Sequence, residues 1–140
     1  MTEIRIYETK DQLDDEIRYQ LYQHLGRGNA IDRWDLVRAV FGKDAALALV
    51  DMHPQDMDES GDHNRFDRRI RDGIERLRNN GHMICNMGSG DGYYIAATIE
   101  EYQEFRLKYG RHAFPIIQTI RRMDETAKQK WPNPLQPSLL

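Results

Sequence analysis

The stretch FDRRIRDGIERLRNNGHMICNMGSGDGYYIAA, residues 66–97, decides the fold, because a regular helical pattern is followed directly by a glycine-rich turn. Its apolar positions recur at about 100° per residue, which is typical of a helix with one buried face. These positions are Phe66, Ile70, Gly73, Ile74 and Leu77. Asn80 and Gly81 follow, and such residues commonly end a helix. The pattern predicts an amphipathic helix that stops just before residue 81.

The segment GSGDG, residues 88–92, lies between two short runs typical of strands, HMICNM and YYIAA. We expect a hairpin in which Ile84, Tyr93 and Ile95 face the core. A phosphate-binding loop would instead leave a strand and open a helix, and its G-x-G-x-x-G and G-K-[ST] signatures are absent. The glycines are therefore predicted to turn a hairpin.

Two further helices are predicted upstream. Leucine or isoleucine recurs every four residues from Leu13 to Leu25, and Gly26 follows. In NAIDRWDLVRAVFG, Asp32 is a candidate N-cap and Gly42 a candidate C-terminal cap, with an apolar face at Leu36, Val37, Val40 and Phe41. KDAALALVD favours another turn or two of helix, and residues 53–64 read as an exposed acidic loop.

Two helical segments are predicted downstream. Thr98 and Glu101 form a T-x-x-E capping box, which precedes an aromatic stripe that ends near Gly110. From Pro115 a longer helix carries Ile116, Ile120, Met123 and Ala127 at spacings of four, three and four, typical of a helix that pairs with another. Two interpretations stay open, a homodimer through this helix or packing against the rest of the chain. The final PNPLQPSLL is predicted to be a frayed tail.

Three helices followed by a hairpin resemble a winged helix-turn-helix domain of the biotin-repressor type. The residues that carry the resemblance end the third helix and form the wing: Leu77, Arg78, Gly81, Ile84, Gly92, Tyr93 and Ile95. The resemblance implies a mainly α fold with a small β-hairpin, comprising a winged-helix domain at 1–98 and a C-terminal helical extension and tail at 99–140. An acidic insertion at 42–63 departs from the turn of about three to four residues that joins the helices of this motif. A looser similarity extends to small phage and prophage winged-helix proteins.

The resemblance implies binding to double-stranded DNA in bacterial or phage transcription or replication control. The third helix would then contact DNA with its arginines, and the wing would approach the neighbouring backbone. The candidate residues are Arg65, Arg68, Arg69, Arg71, Asn86 and Ser89. The residues alone also fit a plainer interpretation, in which the arginines form a solvated face paired with Asp67, Asp72 and Glu75.

Charge is sorted along the chain. Residues 1–63 hold 7 Lys/Arg and 14 Asp/Glu, whereas residues 64–92 hold 6 and 4, and all six basic residues there are arginines. The net charge of -3 argues against nonspecific coating of nucleic acid, so DNA binding would need dimerisation or a partner. The alternative function is a winged-helix module that binds protein and not DNA.

Asp56 to Asp67 has the oxygen-bearing positions and central glycine of a calcium-binding EF-hand loop, but Asp67 stands where a glutamate is expected. We expect a mobile acidic loop more than a calcium site. Scattered histidines and a lone Cys85 predict no enzyme, no metal site and no cofactor. No apolar run approaches the ~20 residues of a membrane span and no secretory signal is evident, which predicts a cytoplasmic protein.

Overall fold

The computed structural model describes residues 4–47, 65–87 and 92–132. These residues form six α-helices and one three-stranded antiparallel sheet, which confirms a mainly helical protein with a small sheet. The elements are α1 (Lys10–Leu21), β1 (Ile31–Asp32), α2 (Arg33–Phe41), α3 (Lys43–Leu47), α4 (Arg65–Asn79), β2 (Ile84–Asn86), β3 (Gly92–Ile95), α5 (Ile99–Gly110) and α6 (Ala113–Lys130). The chain divides into two compact units, Met1–Tyr102 and Gln103–Leu140.

Helix α1 begins after Thr9, whose hydroxyl accepts a hydrogen bond from the Gln12 amide at 3.1 Å. Its stripe of Leu13, Ile17 and Leu21 is buried, as predicted. The prediction that Leu25 continues this stripe is wrong, because the helix ends at Leu21 and Leu25 is exposed. The chain leaves the helix here to run beside β3, where the amide of Gly26 donates to the carbonyl of Ile95.

Helix α2 follows the sequence prediction closely. The Asp32 carboxylate accepts hydrogen bonds from the amides of Trp34 and Asp35, and the four predicted apolar residues are buried. Gly42 ends the helix with a φ of 105°, a conformation that favours glycine. The short α3 comes next. The predicted acidic loop at 53–64 lies outside the described residues.

Helix α4 packs its predicted apolar face into the same core as α1 and α2. Gly73 allows a close approach to α1, since a Cβ at this position would lie 2.6 Å from Cδ1 of Ile17. Gly81 adopts a φ of +96° just after the helix, and the amide of His82 donates back to the carbonyl of Leu77. The predicted helix end at Asn80 and Gly81 is thereby confirmed.

The sheet has the strand order β1-β3-β2. Strands β2 and β3 pair in the predicted hairpin, with Ile84 opposite Ile95 and Asn86 opposite Tyr93. Ile84, Tyr93 and Ile95 join the hydrophobic core as predicted. The sequence analysis missed the third strand, β1, in which Ile31 pairs with Tyr93. The tip of the hairpin, including Ser89, lies outside the described residues.

The predicted capping box at the start of α5 is extended in the structure. The amide of Glu101 donates to the hydroxyl of Thr98 at 3.2 Å, and the Glu101 carboxylate accepts from the amides of Arg27 and Ala97 at 2.8 and 2.9 Å. These backbone hydrogen bonds, the one from Arg27 foremost, lower the pKa of Glu101 below its ordinary value. One carboxylate therefore holds the start of α5 to the segment after α1.

Helix α6 extends over Ala113–Lys130, about five turns, so the helix predicted around Ile116 to Ala127 is confirmed. None of the residues of α5 or α6 is buried, and Ile116 and Met123 are exposed. Most of the predicted tail, residues 133–140, lies outside the described residues.

Candidate nucleic-acid interface

The first turns of α4 carry three exposed arginines, Arg65, Arg68 and Arg69. The Arg65 guanidinium lies 4.8 Å from the centre of the Phe66 ring, and that of Arg69 lies 5.0 Å from the Phe41 ring. Within residues 4–47, 65–87 and 92–132, no carboxylate forms an ion pair with any of the three. The N-terminal part of the helix therefore presents cationic groups to solvent.

Arg71 is held by Asp67, which is the one charged residue buried among those that the structure describes. The Asp67 side chain is 1% exposed and lies 3.3 Å from Nε of Arg71 and 3.1 Å from Nη2 of Arg33. A buried carboxylate requires such partners, because an unpaired charge in the interior is strongly unfavourable. Burial, followed by the negative charge of Asp67, raises the pKa of the nearby Tyr93.

This cluster corrects two interpretations of Asp67. The sequence suggested a solvated i,i+4 partner for Arg71, and the pairing is present but buried. The calcium hypothesis needs Asp67 as its twelfth ligand, but its carboxylate is already engaged by Arg33 and Arg71. The other candidate ligands of that loop lie outside the described residues. Arg33 was not singled out by the sequence because it is far from Asp67 along the chain.

On the opposite flank of α4, Arg76 forms a two-pronged ion pair with Asp14 of α1. Its Nε and Nη2 atoms each lie 2.8 Å from a different carboxylate oxygen. The hydrogen bonding of Arg76 to the Asp14 carboxylate, which accepts, raises the pKa of Arg76. This pair fixes α4 against α1 beside the close contact at Gly73. Arg76 therefore anchors the helix and is not part of its exposed face.

The hairpin is fastened to α4 by Arg78. Its Nε donates to the carbonyl of Ile84 and its Nη2 to Oδ1 of Asn86, both at 2.8 Å. The predicted site residue Asn86 thus lies beside the end of α4, with its side-chain oxygen engaged. The predicted site residue Ser89 lies outside the described residues.

Acidic residues interrupt the exposed face of α4. Asp72 and Glu75 are exposed on the same helix as Arg65 and Arg68. Their negative charge weakens the attraction of this face for phosphate. Arg65, Arg68 and Arg69 are therefore grouped in the first turns of α4, and Arg71 lies on the flank nearer α2. The exposed face of the helix as a whole carries mixed charge.

The described residues contain no group of three or more histidine, cysteine or acidic side chains arranged to hold a metal ion. In the same part of the chain, no helix combines the length and apolar character needed to cross a membrane. Burial raises the pKa of the Cys85 thiol.

Comparison with protein-family models, curated proteins and solved structures gives no significant match to this chain.

Proposed function

We propose that the chain is a winged helix-turn-helix protein that binds double-stranded DNA, in transcription or replication control in a bacterium or phage. The observation that carries the proposal is the exposed first part of α4, where Arg65, Arg68 and Arg69 have no acidic partner among the described residues. Helices α1, α2 and α4, which supply most of the core, and the hairpin fastened to α4 support the same proposal.

In this proposal Arg68 projects from the middle of the exposed face and reaches guanine or phosphate. Arg65 and Arg69 lie within one turn of it and contact flanking phosphates. Arg71, held by Asp67, supplies a contact of fixed geometry, while Asn86 and Ser89 of the wing approach the adjacent backbone. Two-pronged contacts between arginine and guanine contribute about 1–3 kcal/mol of discrimination each.

Selection of bound duplexes from a random pool tests the proposal directly. With the selected duplex, Arg68→Ala should weaken affinity by about tenfold or more, and the affinity of the unaltered protein should fall steeply with salt. Arg18→Ala is the matched control, because Arg18 is an exposed arginine of α1 with a neighbouring acid, Asp15. Equal affinities for the two variants would contradict the role given to α4.

The alternative is a protein-binding module without affinity for DNA. It is favoured by the acidic first part of the chain, where 14 Asp/Glu outnumber 7 Lys/Arg over residues 1–63. This negative charge would repel a DNA duplex unless the arginines of α4 contacted the duplex at a distance from the acidic residues. Failure to recover any enriched duplex, with no salt-dependent binding to random DNA, would select this alternative.

We also propose a homodimer through α6. The support is the exposed stripe at Ile116 and Met123, which continues through Ile120 and Ala127 at the spacing of a paired helix. A dimer would present two recognition helices to half-sites about 34 Å apart and would offset the weak binding of one acidic chain.

Sedimentation tests the dimer. The unaltered chain should sediment as a dimer and Ile116→Glu as a monomer, because a charge in an apolar seam is unfavourable. Gln118→Glu is the control, since residue 118 is 200° around the helix from residue 116. A monomer at high concentration without any substitution would overturn this part of the proposal.

A further inference from the structure

An exposed aromatic groove lies between the end of α1 and the turn that follows α4. Tyr19 and Tyr22 are 64% and 48% exposed, and with Arg18, Gln23 and His82 they line a groove of about 520 Å³. The Tyr22 hydroxyl lies 2.7 Å from Nδ1 of His82, and the two rings meet edge to face with centres 5.6 Å apart. The hydrogen bond fixes one wall of the groove. Clustered exposed aromatic side chains commonly mark interaction sites.

A second cavity of about 350 Å³ adjoins the aromatic groove, because Arg18 and His82 line both. Its other walls include Asp11, Asp14 and Asp15. Asp14 is engaged by Arg76, whereas Asp15 has a solvent-exposed contact with Arg18 at 3.4 Å and Asp11 forms no ion pair with the described residues. The groove therefore has an aromatic end and an acidic end, which suits a partner with a cation beside apolar residues.

The chain itself contains a segment with this chemistry. Prolines at 132, 134 and 137 follow directly after Lys128 and Lys130. Proline-rich peptides favour the extended polyproline conformation and bind in grooves lined by aromatic side chains, where pre-organisation limits the entropy cost. Lys128 and Lys130 lie in the last turn of α6, so the helix end that carries them would face the acidic end of the groove.

The dimensions agree. Lys130 is the last residue of α6, and a chain that continues from it in the polyproline conformation, at about 3.1 Å per residue, places Pro134 about 12 Å from Lys130. Along α1, at about 1.5 Å per residue, Asp15 and Tyr22 are about 10 Å apart. One segment can therefore set a lysine on the acidic end and a proline on the aromatic end at the same time.

We propose that this groove binds the proline-rich tail, residues 132–140 with the preceding lysines, of a second copy of the chain. The inference goes beyond the proposed DNA binding and does not depend on it. It also differs from pairing through α6, because the surface that it uses belongs to α1 and to the turn after α4.

A labelled peptide of residues 128–140 tests the proposal by fluorescence anisotropy. The receptor is the full chain carrying alanine in place of Pro132, Pro134 and Pro137, so that its own tail does not compete. We expect saturable binding that weakens by about tenfold or more with Tyr22→Ala, since buried aromatic anchors dominate such interfaces. Replacing both Asp11 and Asp15 by asparagine should weaken peptide binding about threefold and reduce the salt dependence of that binding. A peptide with all three prolines replaced by alanine should bind at least about tenfold more weakly.

Tyr109→Ala is the control variant, because Tyr109 is a tyrosine of α5 that is 60% exposed and does not line the groove. Circular dichroism verifies that each variant is folded, and Tyr19→Ala replaces Tyr22→Ala if the latter is not. Absence of saturable binding, or equal weakening by the groove and control variants, would overturn the inference. If the protein binds the peptide but no DNA duplex, the groove proposal is supported and only the proposed DNA binding is contradicted.

Discussion

Replacing Asp67 by asparagine should destabilise the first unit strongly. The substitution removes the negative charge between Arg33 and Arg71 while it preserves the size of the side chain. Breaking a buried ion pair on one side typically costs about 3–5 kcal/mol. Arg71 is 40% exposed and regains some hydration, whereas Arg33 is only 15% exposed, so we expect the lower end, about 3 kcal/mol.

Urea unfolding followed by circular dichroism measures the loss, and thermal unfolding should show a midpoint lowered by more than about 10 °C for a unit of this size. Asp72→Asn is the matched control, since Asp72 is an exposed aspartate of the same helix and its substitution should change stability by less than about 0.5 kcal/mol. If both variants unfold at the same urea concentration as the unaltered chain, the reasoning about the buried cluster is refuted.

Three other predictions follow from local geometry. Gly73→Ala should lower stability by about 1 kcal/mol in urea unfolding, because the added Cβ would lie 2.6 Å from Cδ1 of Ile17 and the cost of overpacking exceeds the gain in helix propensity; a stabilised variant would contradict this. The hydrogen bond from the Arg27 amide is the main cause of the lowered pKa of Glu101. The ionised carboxylate should therefore stabilise the fold fully above its ordinary pKa of 4.5, and this contribution should be lost as the pH falls through the lower folded value. Glu101→Gln should accordingly lose less stability than the unaltered chain between pH 7 and pH 3. Cys85 is fully buried and has a raised pKa, so a thiol reagent should label it only in denaturant; rapid labelling of the native chain would count against its position.

The helices of the core could be predicted from the sequence because each carries a complete local signal. Asp32 and Gly42 delimit α2 through a side-chain cap and a positive φ, and both effects act within a few residues. The apolar face of α4 repeats over about three turns, from Phe66 to Leu77, so a chance pattern of that length is improbable. Such features depend little on the rest of the fold.

The missed features depend on contacts between distant residues. Strand β1 has two residues, too few for any alternation, and exists because Ile31 pairs with Tyr93. Leu25 continues a helical spacing but leaves the helix because the chain there hydrogen-bonds to β3. Cys85 and Tyr94 pair with each other and are fully buried, although the sequence analysis placed only Ile84, Tyr93 and Ile95 of the hairpin in the core. Asp67 looks like a surface residue until Arg33 is brought beside it.

The arginines of α4 divide into two groups that composition alone does not separate. Three of them hold buried or structural contacts: Arg71 pairs with buried Asp67 of the same helix, which also binds Arg33 of α2, while Arg76 pairs with Asp14 of α1 and Arg78 with the hairpin. Substituting any of these would alter the position of α4 as well as its charge, so a loss of DNA affinity would have two explanations. The other three are exposed and are grouped in the first turns, at Arg65, Arg68 and Arg69. The proposed function is therefore decided by this second group. Arg65 and Arg68 are its clearest tests, because Arg69 also lies 5.0 Å from the ring of Phe41 in α2.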